Sequence, residues 1–267
     1  MHRNRFPTLV APSRSFDLQH KLKRVQSRNK AGFESLDDVE SEDRLRARVL
    51  RKHCPHKVGV RIRVSRASNT LASARCVREF RRGYIGQVLA LLDREEDTWL
   101  YTIIPEGWIV AGDDLAAVHP KRLLEAFRAQ VYRLGVGRLA GWMVVFLHGE
   151  YVSSTDTYQP HLHIVGSGQK CLALEEWGRK QGSTSAVRYP KRRQRLKDFP
   201  RQVSYFGWQG YWPMKRVAHG AKVGKGRRRR LPAHRLAEWL VWIDQFSASD
   251  FLWLHGCTFR RGGIVRV

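Results

Sequence analysis

The chain has 267 residues, enough to bury one sizeable hydrophobic core with a small appendage. Lysine and arginine number 49 against 24 aspartate and glutamate residues, so the formal net charge is +25 at pH 7. This excess is more than solubility requires and indicates a polyanionic partner, for which nucleic acid is the first choice.

The sequence argues against a membrane or secreted protein. No apolar run approaches the length of a transmembrane span, and the N-terminus lacks the apolar core of a signal peptide. A basic amphipathic helix or a lipid-attachment motif would favour a membrane surface, and neither stands out. The four cysteines (Cys54, Cys76, Cys171 and Cys257) form no CxxC pair and no disulfide framework. We therefore expect a reduced, cytoplasmic protein without a membrane partner.

The chain divides into a tail and one domain. Residues 1–50 are polar, with basic residues up to Lys30 and an acidic block over residues 34–43. Charge blocks of this kind are typical of poorly ordered tails, although an acidic block can also fold back on a basic site. We expect residues 51–267 to form a single domain with a basic C-terminal extension. Residues 215–235 carry nine lysines or arginines and no acidic residue.

The first half of this domain contains a helix, a strand and a second helix. Apolar residues recur at three- and four-residue steps over residues 68–93, which predicts a helix. The segment WLYTIIP (99–105) is rich in aromatic and β-branched residues and predicts a strand that ends at a proline. Residues 119–135 predict a helix, because Pro120 suits the first turn and Gly135 follows the end.

Two strands and two helices follow. Residues 141–152 and 161–165 predict strands, and the turn-like segment SSTDTYQP between them indicates a hairpin with a long loop. Residues 202–212 are compatible with a helix that stops before Pro213, and residues 231–246 predict a closing helix. The fold class that we expect is α+β, with a central, mostly antiparallel sheet flanked by helices.

The tripeptide His161-Leu162-His163 is the most informative motif of the chain. Side chains alternate between the two faces of a strand, so both imidazoles project together while Leu162 points into the core. Two imidazoles placed in this way can hold one divalent metal ion. Most His-apolar-His triplets are nevertheless structural or lie at the surface, so the triplet needs support from its surroundings.

A third ligand is available on the preceding strand, where His148 and Glu150 share one face. If this strand pairs antiparallel with residues 161–165, we expect Glu150 beside His161. Two imidazoles and one carboxylate then form a site with open positions for a phosphate oxygen. His148 can serve as the third ligand instead. The alternative for both residues is a wet sheet face that binds nothing.

Three segments, in this order, resemble motifs of the HUH endonucleases, specifically the rolling-circle replication initiator (Rep) proteins. WLYTIIP resembles the first strand motif, PHLHIV the metal-binding motif, and RQVSYFGWQGYW the helix that carries the nucleophilic tyrosine. Together they span residues 99–212, somewhat under half the chain. HUH relaxases place their tyrosine near the N-terminus, whereas the first tyrosine here is Tyr84, so the order favours a Rep-like or transposase-like protein.

The resemblance implies an RRM-like palm with metal ligands His161 and His163, nucleophile Tyr205, and Mg²⁺ or Mn²⁺ as cofactor. The implied reaction is nicking and joining of DNA through a 5′-phosphotyrosine, as in rolling-circle replication of a plasmid or phage in a bacterial-type cell. The DNA would be single-stranded or an origin hairpin, and a host helicase and polymerase are implied as partners. A single-strand DNA transposase and a non-catalytic basic nucleic-acid-binding protein are the alternatives.

The chain departs from the family pattern after the tyrosine. Many relatives carry a lysine three or four residues later, where this chain has Trp208 and Gln209. Tyr205 and Tyr211 are six residues apart, about 240° around a helix, so they do not face one site together. We therefore expect a single nucleophile.

Two basic blocks are the candidates for contact with the DNA backbone. The residues that we expect to bind nucleic acid are Arg192, Arg193, Arg195, Arg227, Arg228, Arg229 and Arg230. Each phosphate that such residues neutralise releases counterions, so the affinity for DNA should fall steeply with salt.

Overall fold

The computed structural model describes residues 36–54, 70–92, 97–105, 107–179, 191–197, 202–203, 214–215, 230–260 and 263–267. The helices are α1 (Leu36–His53), α2 (Ala74–Leu92), α3 (Pro120–Arg133), α4 (Gln169–Arg179) and α5 (Ala233–Ile243). The strands are β1 (Thr98–Ile103), β2 (Val110–Ala111), β3 (Trp142–Val152), β4 (Thr157–Ser167), β5 (Lys191–Arg195), β6 (Met214–Lys215), β7 (Leu252–His255), β8 (Cys257–Arg260) and β9 (Gly263–Arg266).

Seven of these strands form one mostly antiparallel sheet, which confirms the predicted α+β fold class. Its order is β5-β1-β4-β3-β6, with β2 also paired to β4 and β7 also paired to β3. The β3–β6 pair is parallel, and the other pairs in this sheet are antiparallel. Strands β8 and β9 form a separate two-stranded sheet. Strand β7, which follows α5, pairs with β3 at the edge of the hairpin β3–β4.

The hairpin β3–β4 is the centre of the sheet. Each strand has 11 residues, and pairing runs without interruption from Trp142 opposite Ser167 to Val152 opposite Thr157. The turn is therefore shorter than the expected loop, because residues 157–160 already belong to β4. Tyr158 explains the difference: its ring is buried and packs on Tyr151 at 5.2 Å, so it continues the strand pattern.

Helices pack on both faces of the sheet. On one face, Phe127 of α3 contacts Trp253 of β7 at a ring distance of 5.7 Å, and Tyr101 of β1 donates a hydrogen bond to the carbonyl of Cys171 in α4. On the other face, Tyr84 of α2 packs against Phe146 of β3 at 5.7 Å. This second face carries the histidines.

Helix α1 corrects the expected tail, because residues 36–50 of the predicted poorly ordered segment form a helix that packs on α2 and α5. The face of α1 that packs against the domain contains two charged residues, Asp43 and Arg46, each 1% exposed. Asp43 accepts hydrogen bonds from the backbone N–H of Ala74 at 2.6 Å and from the hydroxyl of Ser73 at 2.9 Å. Arg46 donates one to the carbonyl of Ala72 at 2.7 Å. The bond from Ala74 to Asp43 satisfies a backbone N–H at the start of α2 that has no partner inside the helix, and the bond from Arg46 satisfies the carbonyl of Ala72 just before it.

The other predicted helices and strands lie close to their expected places, except that the helix predicted over residues 202–212 lies outside the described residues apart from 202–203. Helix α2 begins at Ala74 rather than at residue 68, because Ser73 caps its N-terminus: the hydroxyl of Ser73 accepts a hydrogen bond from the N–H of Cys76. Helix α3 starts at Pro120, and Gly135 just beyond it has φ of +71°, as its role at a helix end requires. Among the described residues, no helix combines the length and the apolar character needed to cross a bilayer.

Candidate metal site on the central hairpin

Three histidines lie together on one face of the hairpin, which we call the histidine face. His148 of β3 is directly opposite His161 of β4, and His163 lies two residues further along β4 on the same side. Their ring centroids are 4.8–4.9 Å apart in all three pairs. All three side chains are buried, with exposed fractions of 2%, 5% and 5%. We call these three residues the histidine triad.

Hydrogen bonds fix the orientation of one ring. The Nδ1 atom of His161 lies 3.0 Å from the backbone carbonyl oxygen of Gln159, so this nitrogen carries the proton and donates. The Nε2 atom of His161 then carries the lone pair that could bind a metal ion, and it lies 3.1 Å from Nδ1 of His148. A histidine that binds a metal through one ring nitrogen usually donates the N–H of the other nitrogen to a carbonyl or carboxylate, which fixes the tautomer.

The spacing of these nitrogens fits a shared metal ion. Two adjacent ligands on one ion, with bonds of about 2.0–2.1 Å, lie about 2.8–3.4 Å apart, from octahedral to tetrahedral geometry. The separation between His148 Nδ1 and His161 Nε2, 3.1 Å, falls in this range. Each of the three residues offers a ring nitrogen within 4.8 Å of the others, close enough for small ring rotations to bring all three onto one ion. The triad can therefore hold a metal with its own side chains.

The donor set also favours one metal class. Imidazole nitrogens suit transition-metal ions, whereas Mg²⁺ prefers oxygen ligands and keeps several waters. Of the two ions expected from the sequence, three imidazoles favour Mn²⁺ over Mg²⁺.

The register corrects the expected neighbour of His161. Glu150 was expected beside it, but His148 occupies that position, and Glu150 is opposite Gln159, two cross-strand pairs further along. Glu150 remains on the histidine face. Among the described residues, the cluster of metal-binding side chains consists of the triad and does not include Glu150. The third ligand that this register favours is His148, the alternative that the sequence left open.

The expected nucleic-acid-binding arginines of β5 are divided between the two faces. Arg192 is opposite Thr102, which is opposite His163, so Arg192 lies on the histidine face. Its side chain is exposed. Arg193 and Arg195 project to the other side of the sheet. There, Arg193 pairs with Glu175 and lies 3.6 Å from the centroid of the Trp99 ring.

Several predicted site residues lie outside the described residues. These are the expected nucleophile Tyr205 together with Arg227, Arg228 and Arg229. Arg230 is described: it is exposed and pairs with Glu42 of α1.

The tyrosines that the structure describes are poorly placed for nucleophilic attack at the triad. Tyr101, Tyr151 and Tyr158 project to the face opposite the histidines, and burial raises the pKa of each. Tyr84 is on the histidine side, but its side chain is 3% exposed and burial raises its pKa as well. A phenol that ionises with difficulty is a weak nucleophile. Tyr132 is on α3, which packs on the opposite face.

Comparison of this chain with models of known protein families, with curated proteins and with solved structures gave no match. The assignment of a function therefore depends on the residues themselves.

We expect His148→Ala to lower the affinity for Mn²⁺ by more than about a hundredfold, since even loss of a residue behind a ligand costs 10- to 100-fold. Glu150→Ala is the matched variant: it lies on the same strand and face, and it should change the affinity by less than about threefold. Isothermal titration with Mn²⁺ measures both. The opposite order of effects would restore the carboxylate as the third ligand.

Proposed function

We propose that this protein is a metal-dependent enzyme that nicks and rejoins single-stranded DNA through a covalent tyrosine intermediate. The observation that carries the proposal is the triad of buried imidazoles on adjacent strands of a central hairpin. Two of its members belong to the segment that resembles the metal-binding motif of HUH endonucleases. The formal net charge of +25 is the second support, since it matches a polyanionic substrate.

In this proposal the triad residues are the metal ligands. His148 and His161 contribute Nδ1 and Nε2, which face each other at 3.1 Å, and His163 completes the set. Bound there, a divalent ion would polarise the scissile phosphate and offset the charge that develops in the transition state. The carbonyl of Gln159 holds the proton of His161 on the nitrogen that faces away from the ligand position.

Tyr205 is the proposed nucleophile. Its oxygen attacks the phosphorus, a bond between that oxygen and the 5′ phosphate forms, and the bond between phosphorus and the 3′ oxygen breaks. The phenol loses its proton, and the departing 3′ oxygen gains one to become a hydroxyl. Because the phosphoester is exchanged rather than hydrolysed, the reverse step rejoins the strand. A free 3′ hydroxyl can also prime synthesis, which is the basis for proposing a role in initiating rolling-circle replication.

The test of this proposal is incubation of the full chain with single-stranded DNA carrying a label on its 3′ side, in Mn²⁺ or Mg²⁺. A labelled protein that survives denaturation indicates the 5′-phosphotyrosine, and its absence under every metal condition supports a non-catalytic nucleic-acid-binding protein. Release of the label on addition of a second strand with a free 3′ hydroxyl tests the joining step. A transposase of the same chemistry would be distinguished by cutting at the ends of a mobile element.

We expect Arg192→Ala to slow cleavage by about 10- to 150-fold, because a hydrogen bond to a charged phosphate contributes roughly 1.5–3 kcal/mol. Arg192 is two strands from His163 on the same face of the sheet, about 10 Å between backbones, which supports a contact between its long side chain and a substrate held at the triad. Arg195→Ala is the control, since Arg195 is also exposed on β5 but projects to the other face. Single-turnover rates measure the difference, and equal effects would show that position relative to the triad does not matter.

A further inference from the structure

A group of aromatic rings lies on the side of the sheet away from the histidine triad. Trp253 and His255 are two residues apart on β7, and their rings stack at 5.2 Å with an interplanar angle of 23°. The ring of Tyr132, near the end of α3, is 6.5 Å from Trp253 and 5.7 Å from His255. The guanidinium of Arg128 is 5.3 Å from the centre of the Tyr132 ring. We call Arg128, Tyr132, Trp253 and His255 the aromatic patch.

The register separates this patch from the triad. Trp253 is opposite Val145, and Val145 projects to the face opposite His148 because their positions on β3 differ by an odd number. Phe127, which is 1% exposed, lies beneath Trp253 on that same face. The aromatic patch is therefore not part of the metal site.

Packing alone does not account for Tyr132. Its exposed fraction is 46%, and it is the one aromatic ring among the large apolar side chains that are exposed in the described part of the chain. The core beneath is already filled by Phe127 and Val131, which are 1% and 0% exposed. A large aromatic ring held at the surface by its neighbours is available to a partner.

The net charge of α3, the helix that carries Arg128 and Tyr132, indicates what the partner is, with the acids Glu125 and Asp250 confined to the cavity beside Trp253. The exposed charged residues of α3 are four cations and one acid: Lys121, Arg122, Arg128, Arg133 and Glu125. The ammonium group of Lys170 lies 3.3 Å from Nε2 of His255. Burial, together with Lys170 and Arg128, lowers the pKa of His255, so this ring is a neutral aromatic surface at pH 7. Aromatic rings bordered by cations match bases bordered by phosphates.

We propose that the aromatic patch binds single-stranded nucleic acid, with unpaired bases stacked on its rings and phosphates against the cations of α3. Stacking on aromatic side chains tolerates any base, because every base has a π face. Arg128 serves both parts of the site, since its guanidinium lies over the Tyr132 ring and carries the charge that a phosphate needs. This surface needs neither a metal nor a tyrosine nucleophile, so it goes beyond the proposed cleavage.

The test uses a fluorescein-labelled 20-nucleotide oligothymidine and the full chain in EDTA, where metal-dependent cleavage does not occur. Fluorescence anisotropy gives the affinity of the wild type and of Tyr132→Leu and Tyr132→Phe. We expect the leucine variant to bind about five- to twentyfold more weakly, because it keeps apolar area and loses the ring. The phenylalanine variant keeps the ring and should bind within about twofold of the wild type.

Leu172→Ala is the matched control: Leu172 is 60% exposed on α4, and its loss should leave the affinity unchanged. An oligonucleotide with 5-iodouracil, crosslinked by ultraviolet light, should mark peptides that contain Tyr132, Trp253 or His255. Unchanged affinity in Tyr132→Leu, crosslinks only elsewhere, or an equal loss of affinity for a duplex would each overturn the proposal. Because binding is measured without metal, these outcomes are independent of whether the chain cleaves DNA.

Discussion

Replacing His161 or His163 by alanine is expected to abolish cleavage, with a loss of at least about a thousandfold, while most of the affinity for DNA remains. On the proposed mechanism the two functions separate, because the triad would serve the chemistry whereas DNA binding would reside in arginines and lysines that neutralise phosphates. Each variant should also lose stoichiometric Mn²⁺, which isothermal titration and metal analysis report without any DNA. Cleavage and metal content should therefore fall together.

His234→Ala is the control for this prediction, because His234 is exposed on α5 and is not a member of the triad. It should retain both metal and activity. Circular dichroism on each variant checks that removing a buried imidazole has not unfolded the hairpin. Full activity in either triad variant, or activity that a chelator leaves untouched, would remove the metal hypothesis.

Tyr205→Phe is expected to keep metal and DNA binding and to form no covalent adduct. Phenylalanine retains the ring and removes the hydroxyl alone, so the loss of the adduct would report on the nucleophile itself. The reactive group cannot be supplied readily by Tyr84, Tyr101, Tyr151 or Tyr158, since burial raises the pKa of each. The rate should drop at least about a thousandfold, as expected when a nucleophile is removed.

Tyr211→Phe is the matched variant, and it should still form the adduct. Mass spectrometry of the trapped, digested complex should find the nucleotide on the peptide that contains Tyr205. A nucleotide on Tyr189 or Tyr211 would keep the reaction class and move the nucleophile. A normal yield of adduct in Tyr205→Phe would contradict the alignment with the tyrosine motif.

The strands and helices that the sequence predicted well are those with strong periodicity. Strand β3 and helix α3 begin and end within two residues of their expected bounds, because alternation and a three- to four-residue repeat both reflect burial directly. Helix α1 was missed because its buried stripe contains Asp43 and Arg46. Charged residues signal exposure in a sequence, and only the tertiary partners at the start of α2 make their burial favourable.

The candidate site was predictable in its composition but not in its register. A slip of two residues leaves every side chain on its original face, so the apolar pattern of β3 is equally satisfied with His148 or Glu150 opposite His161. The turn at residues 153–156 decides between them. Sequence alone placed this turn in a longer loop, and the register expected across that loop set Glu150, rather than His148, beside His161.

Helix α1 is synthesised well before helix α5, on which it packs. It packs on α5, and Glu42 pairs with Arg230, 188 residues later in the chain. At a synthesis rate of about 5–20 residues per second, α1 emerges roughly 10–40 s before that partner exists. Strand β7, which lies against β3, is made later still. The residues from α1 to β4 therefore carry an incomplete core when they are first made, and the fold closes only when residues 230–255 have been added.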